Sequence, residues 1–142
     1  MKAYTDIEQS KRLSEILPIE SADMYYQYVL PKSGKIKHNP GIGNPENALK
    51  WYNKGYTTSG KEPITLDEYC IPCWSLAALL EVLPTIDDGN RNPVACKDIR
   101  LNKWHIVYHG TAVEPTIDSG VCDNLIDACY EMILKLHEFK ML

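Results

Sequence analysis

The sequence predicts an α+β fold in which a small antiparallel sheet packs against about three to four helices. Three observations carry this. Leu76, Leu79, Leu80 and Leu83 repeat at the i, i+3, i+4, i+7 spacing of an amphipathic helix. Leu125, Cys129, Met132, Ile133 and Leu136 form a second stripe, which starts just after the capping residues Asp123 and Asn124. Between the stripes, Asn102 to His109 alternates as a half-buried strand does, with Trp104, Ile106 and Tyr108 on one side and His105, Val107 and His109 on the other.

The first element reads as a helix. Thr5 or Asp6 caps it, Glu8 or Gln9 is the capping-box partner, Ile7, Leu13, Ile16 and Leu17 share a face, and Pro18 ends it. Residues 23–30 are rich in aromatic and branched side chains and stop at Pro31, which reads as a strand. Residues 31–47 read as a long loop. Asn44 followed by Pro45 is an N-cap with proline at the first helical position, so a short helix through Ala48, Leu49 and Tyr52 is expected, stopped by Gly55. Pro72 resembles another first-turn proline, which places the leucine helix over 71–84. Asp87-Asp88-Gly89-Asn90 is a turn. The leucine helix and the C-terminal helix are expected to cover the Trp104 face of the strand.

The chain has 142 residues, 44% hydrophobic and 24% charged, which suits one domain of residues 1–142 and excludes a disordered chain. No apolar run approaches a membrane span of roughly 18–20 residues, so no membrane partner is expected. The net charge is −4, but it is unevenly spread: residues 31–61 hold six Lys and one Glu. This segment reads as a basic, irregular insertion. The N-terminus lacks an apolar core and carries Asp6 and Glu8 early, unlike a secretory signal, so a cytoplasmic protein is expected. Five cysteines, an odd count, then read as free thiols.

Cys70-Ile71-Pro72-Cys73 superficially matches a thiol–disulfide exchanger, in which a helix N-terminus lowers the first thiol's pKa. The context opposes that reading. No buried strand is expected before the motif, and Asp67 and Glu68 would raise a neighbouring thiol's pKa. Zinc on Cys70, Cys73, Cys96 and His105 has only half the usual paired spacing. His105 and His109 would share an ion on a helix, but on a strand they stand about 13 Å apart. No phosphate loop, nucleophile elbow or dinucleotide fingerprint occurs, and Gly41-Ile42-Gly43 is too short to count as one. The residues call for no cofactor, no metal and no catalytic group.

In the basic segment, Lys32, Lys35, Lys37, Lys50 and Lys54 lie among the aromatics Trp51 and Tyr56. Cations with exposed rings can hold single-stranded nucleic acid. The acidic total and the absence of Arg here favour a solvated segment or a protein contact instead. Exposed strand edges and Tyr-rich stretches also permit a homo-oligomer.

Pro72-Cys73-Trp74-Ser75-Leu76 through Leu83-Pro84 resembles a P-x-W-S-L-x-x-L-L-x-x-L-P helix segment of small uncharacterised phage- and prophage-associated proteins of gut anaerobic bacteria. Asp123-Asn124-Leu125-Ile126-Asp127-Ala128 and the helix that follows resemble their C-terminal segment, and Trp104 to Tyr108 their aromatic strand. The resemblance spans about half the chain and leaves 31–61 outside. It implies a non-enzymatic accessory protein that works through an unknown protein partner, with a single-stranded nucleic-acid-associated role as the alternative and a thiol-redox or zinc role through Cys70 and Cys73 as a third. It carries no catalytic residue.

Overall fold

A computed structural model describes residues 2–142, with the side chain of Tyr56 also outside the description. The fold is α+β and every strand pairing is antiparallel, as expected. The pairing is shared between two three-stranded sheets rather than one. The chain falls into two compact units, Tyr4–Ala78 and Leu79–Leu142, the second joined by Lys2 and Ala3.

The N-terminal unit opens with α1 (Ile7–Ser14). Asp6 accepts the Gln9 N–H at 2.8 Å while the Gln9 side chain accepts the Asp6 N–H at 3.2 Å, a complete capping box. Strand β1 (Met24–Gln27) is the centre of a sheet ordered β2-β1-β3, with β2 at Gly41–Ile42 and β3 at Cys70–Cys73. The ladder continues past β1 as a hairpin: Tyr28 bridges Ile36, and the Val29 N–H donates to the Lys35 carbonyl. Gly41 lets the Tyr25 ring lie over it: a Cβ there would come within 2.5 Å of that ring, so a larger residue would have to displace Tyr25.

The expected irregular segment 31–61 is largely built structure. Helix α2 runs Pro45–Thr58, with Asn44 Oδ1 accepting the Glu46 N–H at 3.0 Å. Gly55 does not stop it. The chain turns at Gly60 instead, which has φ +80 and donates its N–H to the Thr57 carbonyl. The inner face of α2 is fixed by Asn53, whose side chain pairs with both backbone polar groups of Ile64, and by Tyr52, 5.0 Å from Tyr69. Helix α3 is the single turn Leu66–Tyr69.

The helix expected over 71–84 is shorter, and its first residues are strand. Ile71 is biased to extended backbone by the proline that follows, and Pro72 is tolerated because β3 lies at a sheet edge. Helix α4 (Leu76–Val82) begins after Ser75, whose Oγ accepts the Ala78 N–H at 3.2 Å. Asp23 in turn takes the Ser75 N–H at 2.9 Å and the Ser75 hydroxyl.

The core of this unit is a polar knot inside apolar packing. Tyr26, Ile71 and Cys73 are buried together, with Tyr4, Ile7, Met24, Tyr28 and Ile36 against them. Thr5 is fully buried. Its Oγ1 bonds Ser10 Oγ at 2.7 Å and accepts the Trp74 N–H at 3.2 Å, and its carbonyl accepts the Tyr26 hydroxyl at 2.7 Å. Trp74 is also fully buried, and its Nε1 donates to Ser21 Oγ at 2.9 Å.

The C-terminal unit holds a sheet ordered β4-β5-β6, with β4 at Val94–Asp98, β5 at Lys103–Tyr108 and β6 at Ile117–Asp118. Helix α5 (Leu125–Glu138), capped by Asn124, packs on β5 as expected. Ile106 and Tyr108 are buried, whereas Trp104 stays partly exposed with Lys97 Nζ 5.6 Å from its ring centre. The turn at Asp87–Asn90 sets up Arg91, a buried guanidinium that pairs with Asp87 and donates to the His109 and Pro115 carbonyls.

Candidate functional site

The sequence-predicted contact residues fall on two elements of the N-terminal unit. Lys32, Lys35 and Lys37 lie exposed in the hairpin loop after β1. Lys32 takes a left-handed backbone, φ 56, and its N–H reaches the Glu68 carbonyl. Lys37 Nζ lies 3.3 Å from Gln27 Oε1. Lys50, Trp51 and Lys54 lie on α2, where i, i+3 and i+4 spacing brings them to one face with Asn47. That face is open to solvent. Trp51 is 74% exposed, an unusual state for the largest side chain, and Lys54 Nζ sits 5.3 Å from its ring centre. Tyr56 is on the same helix, and its side chain lies outside the described residues.

Large apolar side chains are also exposed along this stretch of chain: Val29, Leu30 and Ile42, the last at 88% on the edge strand β2. Sequence reasoning did not single these out. Ile42 stands between Gly41 and Gly43 on a two-residue edge strand, an assignment that exists only through its pairing with β1.

The cysteine motif is arranged for packing. Cys70 and Cys73 are three residues apart on a strand, so their side chains leave on opposite faces. Both are buried. Burial, helped by Asp67, pushes the Cys70 thiol up to about 12. Burial also pushes Cys73 up, against hydrogen bonds from Thr5, Ser10 and Tyr26. Neither thiol stands at a helix N-terminus, which is the feature that would activate it.

The four residues weighed for zinc divide between the units, Cys70 and Cys73 in one, Cys96 and His105 in the other. Among the described residues no three His, Cys, Asp or Glu side chains come together as a metal site. A cavity of about 180 Å³ lined by Leu17, Ile19, Leu66, Asp67, Pro72 and Trp74 falls below the roughly 300–1,000 Å³ of small-molecule sites. No helix of the described residues is long and apolar enough to cross a membrane. No family model, curated protein or solved structure matches the chain.

Proposed function

We propose that the chain is a non-enzymatic accessory protein, of the phage- or prophage-associated kind its helix segments resemble, that acts through protein–protein contacts made by the outer face of α2. The observation that carries this reading is Trp51, 74% exposed on a helix whose other face is firmly held. Tryptophan is the residue type most enriched at interface hot spots, because one side chain removes a large apolar area from water while losing few rotamers. Lys50 and Lys54 beside it suit a polar, acidic rim on the partner.

The test is affinity capture from host lysate after nuclease treatment, with wild type and Trp51→Ala side by side. A partner retained after nuclease and lost from Trp51→Ala, at unchanged melting temperature, is the expected result. Equal capture by both proteins would overturn the assignment of the face.

A second reading is favoured by the lysine–tryptophan stack itself. Lys54 over the Trp51 ring, with Lys50 alongside, is the combination that holds a single strand by phosphate contact and base stacking. Titration of a labelled single-stranded oligonucleotide at two salt concentrations separates the two. Binding that weakens with salt and with Trp51→Ala would replace the protein-contact reading, and no binding at low salt removes the nucleic-acid one.

A further inference from the structure

The C-terminal unit carries a row of side chains that the contact reading does not use. Cys96 on β4 is the direct cross-strand partner of His105 on β5, so the two side chains stand on one face of the sheet. Facing residues of this kind have Cβ atoms roughly 4.5–5.5 Å apart. Asp118 on β6 partners Val107, two residues along β5, and so lies on that same face. Its carboxylate oxygens both lie 3.1 Å from His105 Nδ1. The order across three adjacent strands is therefore thiol, imidazole, carboxylate.

The carboxylate fixes the imidazole. Burial alone would raise the Asp118 pKa, but the Gly120 N–H, the hydrogen bond from His105 and the charges of His105 and Lys135 outweigh it and hold the carboxyl below its usual range. An ionised carboxylate only accepts, so His105 Nδ1 carries the proton it donates, and Nε2 is the ring nitrogen not engaged by Asp118. The same carboxylate accepts the Gly120 N–H at 2.8 Å, and Lys135 from α5 reaches the Asp118 carbonyl. These contacts hold the acceptor in place. Along the face on the other side stand Lys103, paired with Asp123, and its cross-strand neighbour Asp98, a cation and an anion together. Val94 and Val107 flank the row at the other end.

The other four cysteines are built differently. Cys70, Cys73 and Cys129 are buried, and burial pushes Cys129 up to about 12 as it does Cys70. Cys122 is partly exposed, but burial and then Glu131, Asp127, Asp123 and Asp118 push its thiol up. Cys96 is partly exposed and stands directly across the strand pair from His105.

We propose that Cys96 is the reactive thiol of this chain, activated by a carboxylate-oriented His105 and modified by oxidised low-molecular-weight thiols. His105 Nε2 takes the Cys96 proton. The Cys96 sulfur then bonds to one sulfur of the small disulfide, the S–S bond breaks, and the departing thiolate recovers the proton from His105. Cys96 ends as a mixed disulfide, and one small thiol is released for each disulfide consumed. Asp118 is a positioning residue, since it acts only through His105.

The test uses the folded full-length chain and oxidised glutathione, with peptide mapping of the modified sites over time. Cys96 is expected to be modified on the order of tenfold faster than Cys122, with the buried Cys70, Cys73 and Cys129 protected. His105→Gln is expected to slow Cys96 by a similar factor while Cys122 keeps its rate, an internal control for folding. The pH profile of labelling is a second readout: that of Cys96 should change in His105→Gln while that of Cys122 does not. Preferential modification of Cys122, or a Cys96 rate and pH profile indifferent to His105→Gln, would overturn the proposal.

Discussion

Trp74 and Trp51 sit in the same N-terminal unit and are treated in opposite ways. Trp74 has no exposed surface, its indole N–H is satisfied by Ser21, and its backbone N–H and carbonyl are both bonded to Thr5. Trp51 has 74% of its surface open and rests on a lysine rather than on the core. The difference is one of anchorage. Trp74 sits between a strand and the start of α4, where three segments converge. Trp51 faces away from the side of α2 that Tyr52 and Asn53 fix. A structural tryptophan and an exposed one are told apart by what their polar atoms are tied to.

The largest effect follows directly. Trp74→Ala is expected to cost about 3–5 kcal/mol, the usual range for truncating a fully buried aromatic, whereas Trp51→Ala should stay within about 0.5 kcal/mol of wild type. Urea denaturation of the two variants measures this. Equal losses would break the comparison, because Trp51 would then be supporting the fold.

Thr5→Val comes next. Valine matches the shape but removes the oxygen that accepts the Trp74 N–H and bonds Ser10, and it leaves a buried donor unsatisfied. The expected cost is about 1–3 kcal/mol. Ser10→Ala in the same background should restore little, since the orphaned Trp74 N–H remains, and a double-mutant cycle by urea denaturation reads the coupling.

A third, smaller effect separates buried from exposed groups by pH. Cys70 is pushed up to about 12 by burial and Asp67, and Cys129 to about 12 by burial, while an unfolded thiol titrates near ~8.5. Folded pKa values above unfolded ones mean that the neutral thiols stabilise the fold fully below pH ~8.5, and that this is lost as pH rises toward 12. At pH 9 the loss is roughly 1 kcal/mol per thiol. Tyr69 and Tyr108, both held near 12 by burial, extend the fall at higher pH. Denaturant midpoints measured from pH 7 to 10 should decline, and Cys129→Ala should flatten the decline. A midpoint constant up to pH 10 would contradict the burial of these groups.

The sequence showed local chemistry and missed what depends on pairing. The Asp6–Gln9 box, the Asn124 cap, the Asp87–Asn90 turn and the aromatic strand through Trp104 were legible because each signal lies within a few residues of its effect. Pro72 misled because a first-turn proline and an edge-strand proline look alike until Tyr25 is seen opposite it. Strand β4 was missed for a related reason. Val94–Asp98 is a polar edge with one bonded neighbour, so its alternation is weak. The shared face of Lys50, Trp51 and Lys54 follows from helical spacing alone. The Cys96–His105–Asp118 row could not be read, because it exists only through the registers of β4 and β6 against β5.

The smallest expected effect tests the scaffold behind the exposed tryptophan. Gly55 lies within α2 on its exposed side, and a Cβ added there would meet no atom within 4 Å. Its φ is not positive, so no left-handed turn depends on it; that role belongs to Gly60 at φ +80. Glycine inside a helix gives up more backbone entropy on folding than alanine does, so Gly55→Ala should stabilise the chain by about 0.5–1 kcal/mol. Gly60→Ala should destabilise it, because alanine is strained at that φ. Thermal melting of the pair reads both signs. A gain at Gly55 with unchanged partner capture would mean that α2 serves as a rigid platform for Trp51. A gain in stability with loss of capture would mean that the partner needs the helix to open near its C-terminal end, and that the contact face is formed on binding rather than presented in advance.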